Sequence, residues 1–252
     1  MIFMQNQNPI VPTKPSLKGI YLLPNLFTTA ALFAGFYAIV QAMNKQFDSA
    51  AIAIFIAMIL DGLDGRVARF TNTQSAFGAE YDSLADMVSF GVAPALIVYE
   101  WILKDLGQWG WIAAFIYCAG AALRLARFNT QIGNADKRYF QGLPSPSAAA
   151  LVASFVWMVQ QYQFKSSMVN IQFLTWGITV FAGITMVSNI KYYSFKEINL
   201  RRSVPFMIIL LIVMSFALVS INPPHILFAF FAMYGFSGYG WMLWRWGHGQ
   251  AL

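Results

Sequence analysis

Apolar residues occur in eight runs, near residues 19-43, 48-70, 83-104, 108-127, 146-163, 169-189, 204-222 and 225-246, with short connections of Pro, Gly, Asn, Lys or Arg between them. Each run approaches the ~20 residues that a helix needs to cross about 30 Å of hydrocarbon, and none shows the ten-residue alternation of a barrel strand. The pattern predicts an all-α fold, a polytopic transmembrane helical bundle of about eight spans. Two runs are weak. The fifth is short and holds Ser154, Gln160 and Gln161, and the second ends with Asp61, Asp64, Arg66 and Arg69, so six to eight spans are compatible with the pattern. Residues 1-18 form a polar, proline-containing N-terminal segment with no cleavable signal pattern, and 19-252 read as one membrane domain without repeats or composition shifts.

Composition agrees with burial in lipid: 58% of residues are hydrophobic and 10% charged, more apolar surface than a soluble domain of this size covers. The net charge of +6 does not indicate a nucleic-acid partner, because the basic residues sit singly or in pairs between apolar runs, as membrane-flanking anchors do. With the N-terminus placed in the cytoplasm, eight spans put Lys14, Lys18, Arg66, Arg69, Arg124, Arg127, Lys137, Arg138, Lys191, Lys196, Arg201, Arg202 and Arg245 inside. Only Lys45, Lys104 and Lys165 fall outside. This asymmetry predicts cytoplasmic N- and C-termini and an even number of spans. Cys118 stands alone in an apolar run, which excludes an intrachain disulfide or thiolate metal site.

Half of the ten acidic residues lie between Asp61 and Asp86, at the edge of apolar runs where a carboxylate is costly. Asp61 and Asp64 lie about 60° apart on a helix, and Asp82 and Asp86 about 40° apart, so each pair shares a face. If the helices on either side of the Thr71–Ala76 link are neighbours, four carboxylates converge. Oxygen ligands without His or Cys suit magnesium or manganese, and four negative charges can balance two divalent ions, an arrangement that clamps both oxygens of a phosphoryl displacement. Gly78 continues the Asp82–Asp86 stripe without bulk, and Gly65 does the same one turn beyond Asp61. Glu80 points about 200° from Asp82 and away from this site.

The full string is Asp61-x2-Asp64-Gly65-x2-Ala68-Arg69-x8-Gly78-x3-Asp82-x3-Asp86. It resembles the signature of the CDP-alcohol phosphotransferase family, with all eight positions filled. The resemblance implies a homodimeric enzyme of a bacterial-type inner (cytoplasmic) membrane that displaces CMP from a CDP-activated lipid by attack of an alcohol, with its active site facing the cytoplasm. It implies that Asp61, Asp64 and Asp82 are metal ligands and that Asp86 completes the metal site and acts as general base. It also places Asp61, Asp64, Gly65, Ala68, Arg69, Gly78 and Asp82 around the CDP group. Spacing by itself does not decide which aspartate is the base.

Two further strings, Arg124-Leu125-Ala126-Arg127-Phe128-Asn129 and Phe140-Gln141-Gly142-Leu143-Pro144-Ser145-Pro146, resemble the serine-using members of that family. They imply CDP-diacylglycerol and L-serine as substrates. Arg124 and Arg127 can share a helix face and hold a diphosphate or a carboxylate, or they are topology anchors. Asn129 contacts substrate or ends its helix, and Lys191, beside Ser188, Asn189 and Tyr192, faces the acceptor or is one more anchor. Choline, inositol and glycerol phosphate are the alternative acceptors within the same chemistry. A cation transporter is the alternative outside it, opposed by the position of the aspartates at one end of their helices.

Overall fold

The computed structural model describes residues 22–130, 139–162, 168–193 and 206–247. The segment 1-18, together with Lys137, Arg138, Lys165, Lys196, Arg201 and Arg202 of the charge count, lies outside the described residues. The helices are α1 (Leu22–Met43), α2 (Phe47–Thr71), α3 (Ala76–Asp86), α4 (Ala93–Trp101), α5 (Gln108–Thr130), α6 (Ser145–Tyr162), α7 (Met168–Val187), α8 (Phe206–Ile221) and α9 (Pro223–Gly247). A π-helical turn, Met87–Val92, joins α3 to α4 as one rod, so the described residues form eight rods at the places where the hydropathy pattern puts eight runs. Five of these are long and apolar enough to cross a membrane: Leu23–Met43, Ala76–Trp101, Gln108–Thr130, Asn170–Val187 and Pro223–Arg245.

Small residues let the first two helices approach closely. Ala31, Ala34, Ala38 and Ala42 on α1 are buried, as are Ala50, Ala53 and Ala57 on α2, the short-side-chain seam expected where lipid supplies no hydrophobic drive between helices. α1 packs against both α2 and α3, whereas α2 and α3 make little backbone contact with each other. The two motif helices therefore meet through side chains and not through closely packed backbones. They are held at a fixed separation by α1. Asn72 ends α2 in the left-handed conformation (φ 52°), and its N–H donates to the Ala68 carbonyl. Ser75 caps α3 by accepting the Gly78 N–H at 3.0 Å.

The π turn has an identifiable cause. Pro94 has no N–H to give to the carbonyl of Phe90, four residues earlier. That carbonyl is taken instead by the fully buried Tyr117 of α5, whose hydroxyl donates at 3.0 Å. On the same turn Ser89 donates to the Ala31 carbonyl of α1 at 3.2 Å, and a Cβ on Gly35 would collide with Ser89. The irregular turn that follows Asp86 is thus gripped from two sides.

One feature departs from the all-α expectation. Tyr139–Gln141 (β1) and Lys191–Tyr193 (β2) form a two-stranded antiparallel ribbon, with Phe140 opposite Tyr192. Three-residue strands are too short to show a period-two pattern, and this ribbon is held by its surroundings. Gly142, at φ 76°, donates to the Ile190 carbonyl at 2.8 Å, Leu143 N–H donates to Thr185 at 3.1 Å, and Tyr192 donates to the Gly235 carbonyl of α9 at 2.7 Å. A side chain at Gly142 would meet the Met186 carbonyl, so the glycine is required twice over.

Replacing Tyr117 by Phe leaves the Phe90 carbonyl buried without a donor. Tyr117→Phe is expected to destabilise the protein by about 1–3 kcal/mol, read as a lower thermal transition in detergent, whereas Cys118→Ala, its half-buried neighbour, moves the transition much less.

Candidate active site

Hydrogen bonds gather one end of the bundle around the aspartates. Arg124 of α5 donates from Nη1 to Ser145 Oγ at the start of α6 (2.9 Å). Arg127, one turn on, donates to Asn189 Oδ1 after α7 (3.2 Å). Asn129 donates to Ser83 Oγ of α3 at 3.0 Å. The end of α5 is so joined to the segment after α7, to the start of α6 and to the second half of α3.

Within this end, Asp61, Asp64 and Asp82 each place one carboxylate oxygen within 4.8 Å of the others. Asp64 and Asp82 lie within hydrogen-bond reach of each other, and Asp86 stands in the same relation to Asp61. The carboxylates from α2 and from α3 therefore meet as the spacing requires. Glu80 is exposed and takes no part.

The donor set suits a divalent metal. It is all oxygen, it is crowded with like charge, and the buried Oδ1 of Asp82 has no hydrogen-bond partner. Around Gly65, and around Gly62 beside it, a Cβ would find nothing within 4 Å, so the α2 backbone is open to a ligand there. Gly78 is different. A side chain at this position would press on Ser75 Oγ at 3.1 Å and Asn25 Oδ1 at 3.4 Å, so this glycine protects a cap as well as thinning the stripe. Ala68 contributes its carbonyl to the end of α2, and Arg69 folds back to donate from Nε to the Gly65 carbonyl at 2.9 Å.

The two arginines of α5 have separate partners. Arg124 comes close enough to Asp86 for their charges to interact, and its buried Nε has no partner, so it faces the carboxylates with donor capacity to spare. Arg127 is directed to the segment after α7, and Asn129 to α3. Lys191 is exposed on the ribbon, where it lines a cleft of about 400 Å³ with Tyr139, Tyr193 and Trp241.

One participant escaped the sequence reading. Thr28 of α1, buried, donates to Asp64 Oδ2 at 2.7 Å, closer than its contact of 3.2 Å with the Pro24 carbonyl one turn back. The hydroxyl's single proton is best used on the charged acceptor. Its signal in the sequence is slight, a threonine pair inside an apolar run. Ser83 and Ser145, which hold Asn129 and Arg124, are equally plain residues in the sequence.

A helical bundle with five helices long and apolar enough to cross a membrane, and a convergent carboxylate cluster beside a half-buried arginine, is an arrangement suited to metal-assisted chemistry on phosphate groups. More particularly, the family model described as "CDP-alcohol phosphatidyltransferase" matches residues 21–188, and the chain belongs to that family. The chain is 41% identical over 220 residues to a Helicobacter pylori protein named "CDP-diacylglycerol--serine O-phosphatidyltransferase", covering 86% of this chain and 90% of that one. Proteins of the same name from Mycobacterium bovis (38% identity, 68% of this chain and 61% of that one) and Methanocaldococcus jannaschii (35% identity, 74% and 82%) are also similar.

Thr28→Val removes the donor to Asp64 with little change in volume. It is expected to weaken divalent-metal binding about tenfold, measured by manganese titration without substrate, while Thr28→Ser stays near wild type.

Proposed function

We propose that this chain is a membrane enzyme that transfers a phosphatidyl group from CDP-diacylglycerol to L-serine, yielding phosphatidylserine and CMP. The observation that carries the reading is the cluster of Asp61, Asp64 and Asp82 with Asp86 and Arg124 at its edge. Family membership and the relatives' names supply the two substrates.

In this reading the serine hydroxyl oxygen forms a bond to the phosphorus of the phosphatidyl group, the bond from that phosphorus to the oxygen of CMP breaks, and CMP departs. Asp86 accepts the hydroxyl proton. This role follows the family resemblance, which assigns the base to the last aspartate of the string. Asp61, Asp64, Asp82 and Asp86 hold two magnesium or manganese ions, which when bound offset the negative charge of the diphosphate. Gly65, with Ala68, Arg69 and Gly78, surrounds the CDP group, and the open backbone at Gly65 gives it room. Arg124 holds a phosphate oxygen or the serine carboxylate through its free Nε–H, while Arg127, Asn129 and Lys191 complete the acceptor side.

The same reading extends to the setting. All eight rods span the inner membrane of a bacterial-type cell, both termini are cytoplasmic, and the carboxylate end faces the cytoplasm, as the Lys and Arg asymmetry of the sequence supports. The working unit is a homodimer, as the family resemblance implies.

The test is CMP release by the purified protein from CDP-diacylglycerol. Release is expected to require serine, to stop on chelation and to return with magnesium or manganese. Asp64→Asn and Asp86→Asn are each expected to lower it by roughly 10²–10⁴-fold with the fold intact. Release driven by choline, inositol or glycerol phosphate but not by serine would overturn the acceptor, and full activity of both variants would overturn the site.

A further inference from the structure

The motif helix carries a second cation that the reaction does not use. On α2, Arg66 lies about 140° from Asp61 and about 200° from Asp64, so it leaves the helix on the side away from the carboxylates. It shares a stripe with Phe55 and Ile59, eleven and seven residues earlier, each within about 20° of it. Phe55 rests against Trp157 of α6 and Phe231 of α9, with ring centroids 6.2 and 6.3 Å away, whereas Ile59 is 61% exposed. Arg66 therefore stands at the polar end of an apolar stripe that runs along the lipid edge of the α2–α9 seam.

Beside it is a cleft of about 350 Å³, lined by Arg66, Phe140, Pro144, Tyr193, Phe230 and Tyr234 among others. The lining contains one cation and no carboxylate. Arg66 is exposed and has no hydrogen bond or ion pair among the described residues. One wall is fixed, since Tyr234 donates to the Tyr193 carbonyl at 3.2 Å. The other, Phe230, is 54% exposed on α9, a helix long and apolar enough to cross a membrane. Aromatic walls at the end of a span, open to lipid along one side and closed by an unpaired guanidinium, match a molecule that is apolar along its length and anionic at its head.

We propose that this cleft binds an anionic phospholipid of the surrounding bilayer, its phosphodiester on Arg66 and an acyl chain against Phe230. Through Tyr234, which comes close enough to Arg124 for the two to interact, the cleft borders the site, while Arg66 itself points away from the carboxylates. A free phosphate would use Arg66 but would leave the aromatic walls uncovered.

Native mass spectrometry of the full-length protein, released from mixed micelles containing phosphatidylglycerol and phosphatidylcholine of identical acyl chains, tests the assignment. The wild type is expected to retain phosphatidylglycerol over phosphatidylcholine about fivefold, the preference that one cation near the surface provides. Arg66→Gln should bring the ratio to near one, and Arg66→Lys should keep most of it. Arg66→Met, which retains the aliphatic stem, replaces the Gln variant if that one does not fold. Asp64→Asn should leave the ratio unchanged, so failure of the metal site and failure of this one are told apart. An unaltered ratio in Arg66→Gln and Arg66→Met overturns the proposal. Displacement of the lipid by an equal concentration of inorganic phosphate assigns Arg66 to free anions instead, and one-for-one displacement by CDP-diacylglycerol assigns the cleft to the substrate; either result also overturns it.

Discussion

Carboxylates crowded together at the end of an apolar bundle repel one another and resist leaving water, and the rest of the structure is arranged around that cost. Three of them place oxygens within 4.8 Å, and the fourth lies against one of the three. The protein's own neutralisation is partial. Thr28 gives one hydrogen bond to Asp64, Arg124 brings one positive charge towards Asp86, and Asp82 keeps a buried oxygen without a partner. Positive charge from outside, which divalent ions would supply, would offset both these carboxylates and an anionic diphosphate. The apolar scaffold fixes where the carboxylates stand, and the ligand completes their electrostatics.

Holding them requires rigidity in helices whose backbones barely touch. α1 provides it, packing through alanines against α2 and through the Gly35–Ser89 approach against the π turn after α3. The missing N–H of Pro94 would weaken the motif rod just where Asp86 needs support, yet Tyr117 takes the freed carbonyl and ties the irregular turn to α5. Since α5 also carries Arg124, a single helix stabilises the turn and supplies the cation beside Asp86. Tyr117 and Arg124 are seven residues, or about two helical turns, apart and so lie on one side of that helix.

Much of this was legible in the sequence, for reasons that differ from residue to residue. The eight rods follow from runs of apolar residues near the span length, and each Asp pair follows from its spacing of three or four. Contacts between distant segments were not legible. Thr28 reaches Asp64 across thirty-six positions, and nothing in its neighbourhood distinguishes it from Thr29. The β1–β2 ribbon joins strands too short for any periodicity and depends on Leu143 and Tyr192 finding their partners on α7 and α9. The α2 and α3 backbones stay apart although their carboxylates meet, because a short link fixes the distance between helix ends but not the packing of helix sides. Arg124 and Arg127 share a helix end, yet only the first comes close to Asp86, since Asn189 takes the second.

The same motif helix has to satisfy two environments. Around its axis, Asp61 and Asp64 face α1 and α3, Gly62 and Gly65 leave the backbone open, and Arg66 with Ile59 marks the lipid edge. A lipid-linked donor and a water-soluble alcohol can meet at such a helix only if its polar and apolar faces border each other within one turn. Glycine at positions 62 and 65 meets this requirement, because a larger residue at either would occupy the open strip between carboxylate and lipid. The close spacing of charged and glycine residues from Asp61 to Arg69 brings these faces together on one helix. Charged, glycine and apolar positions so alternate around one helix within about one turn.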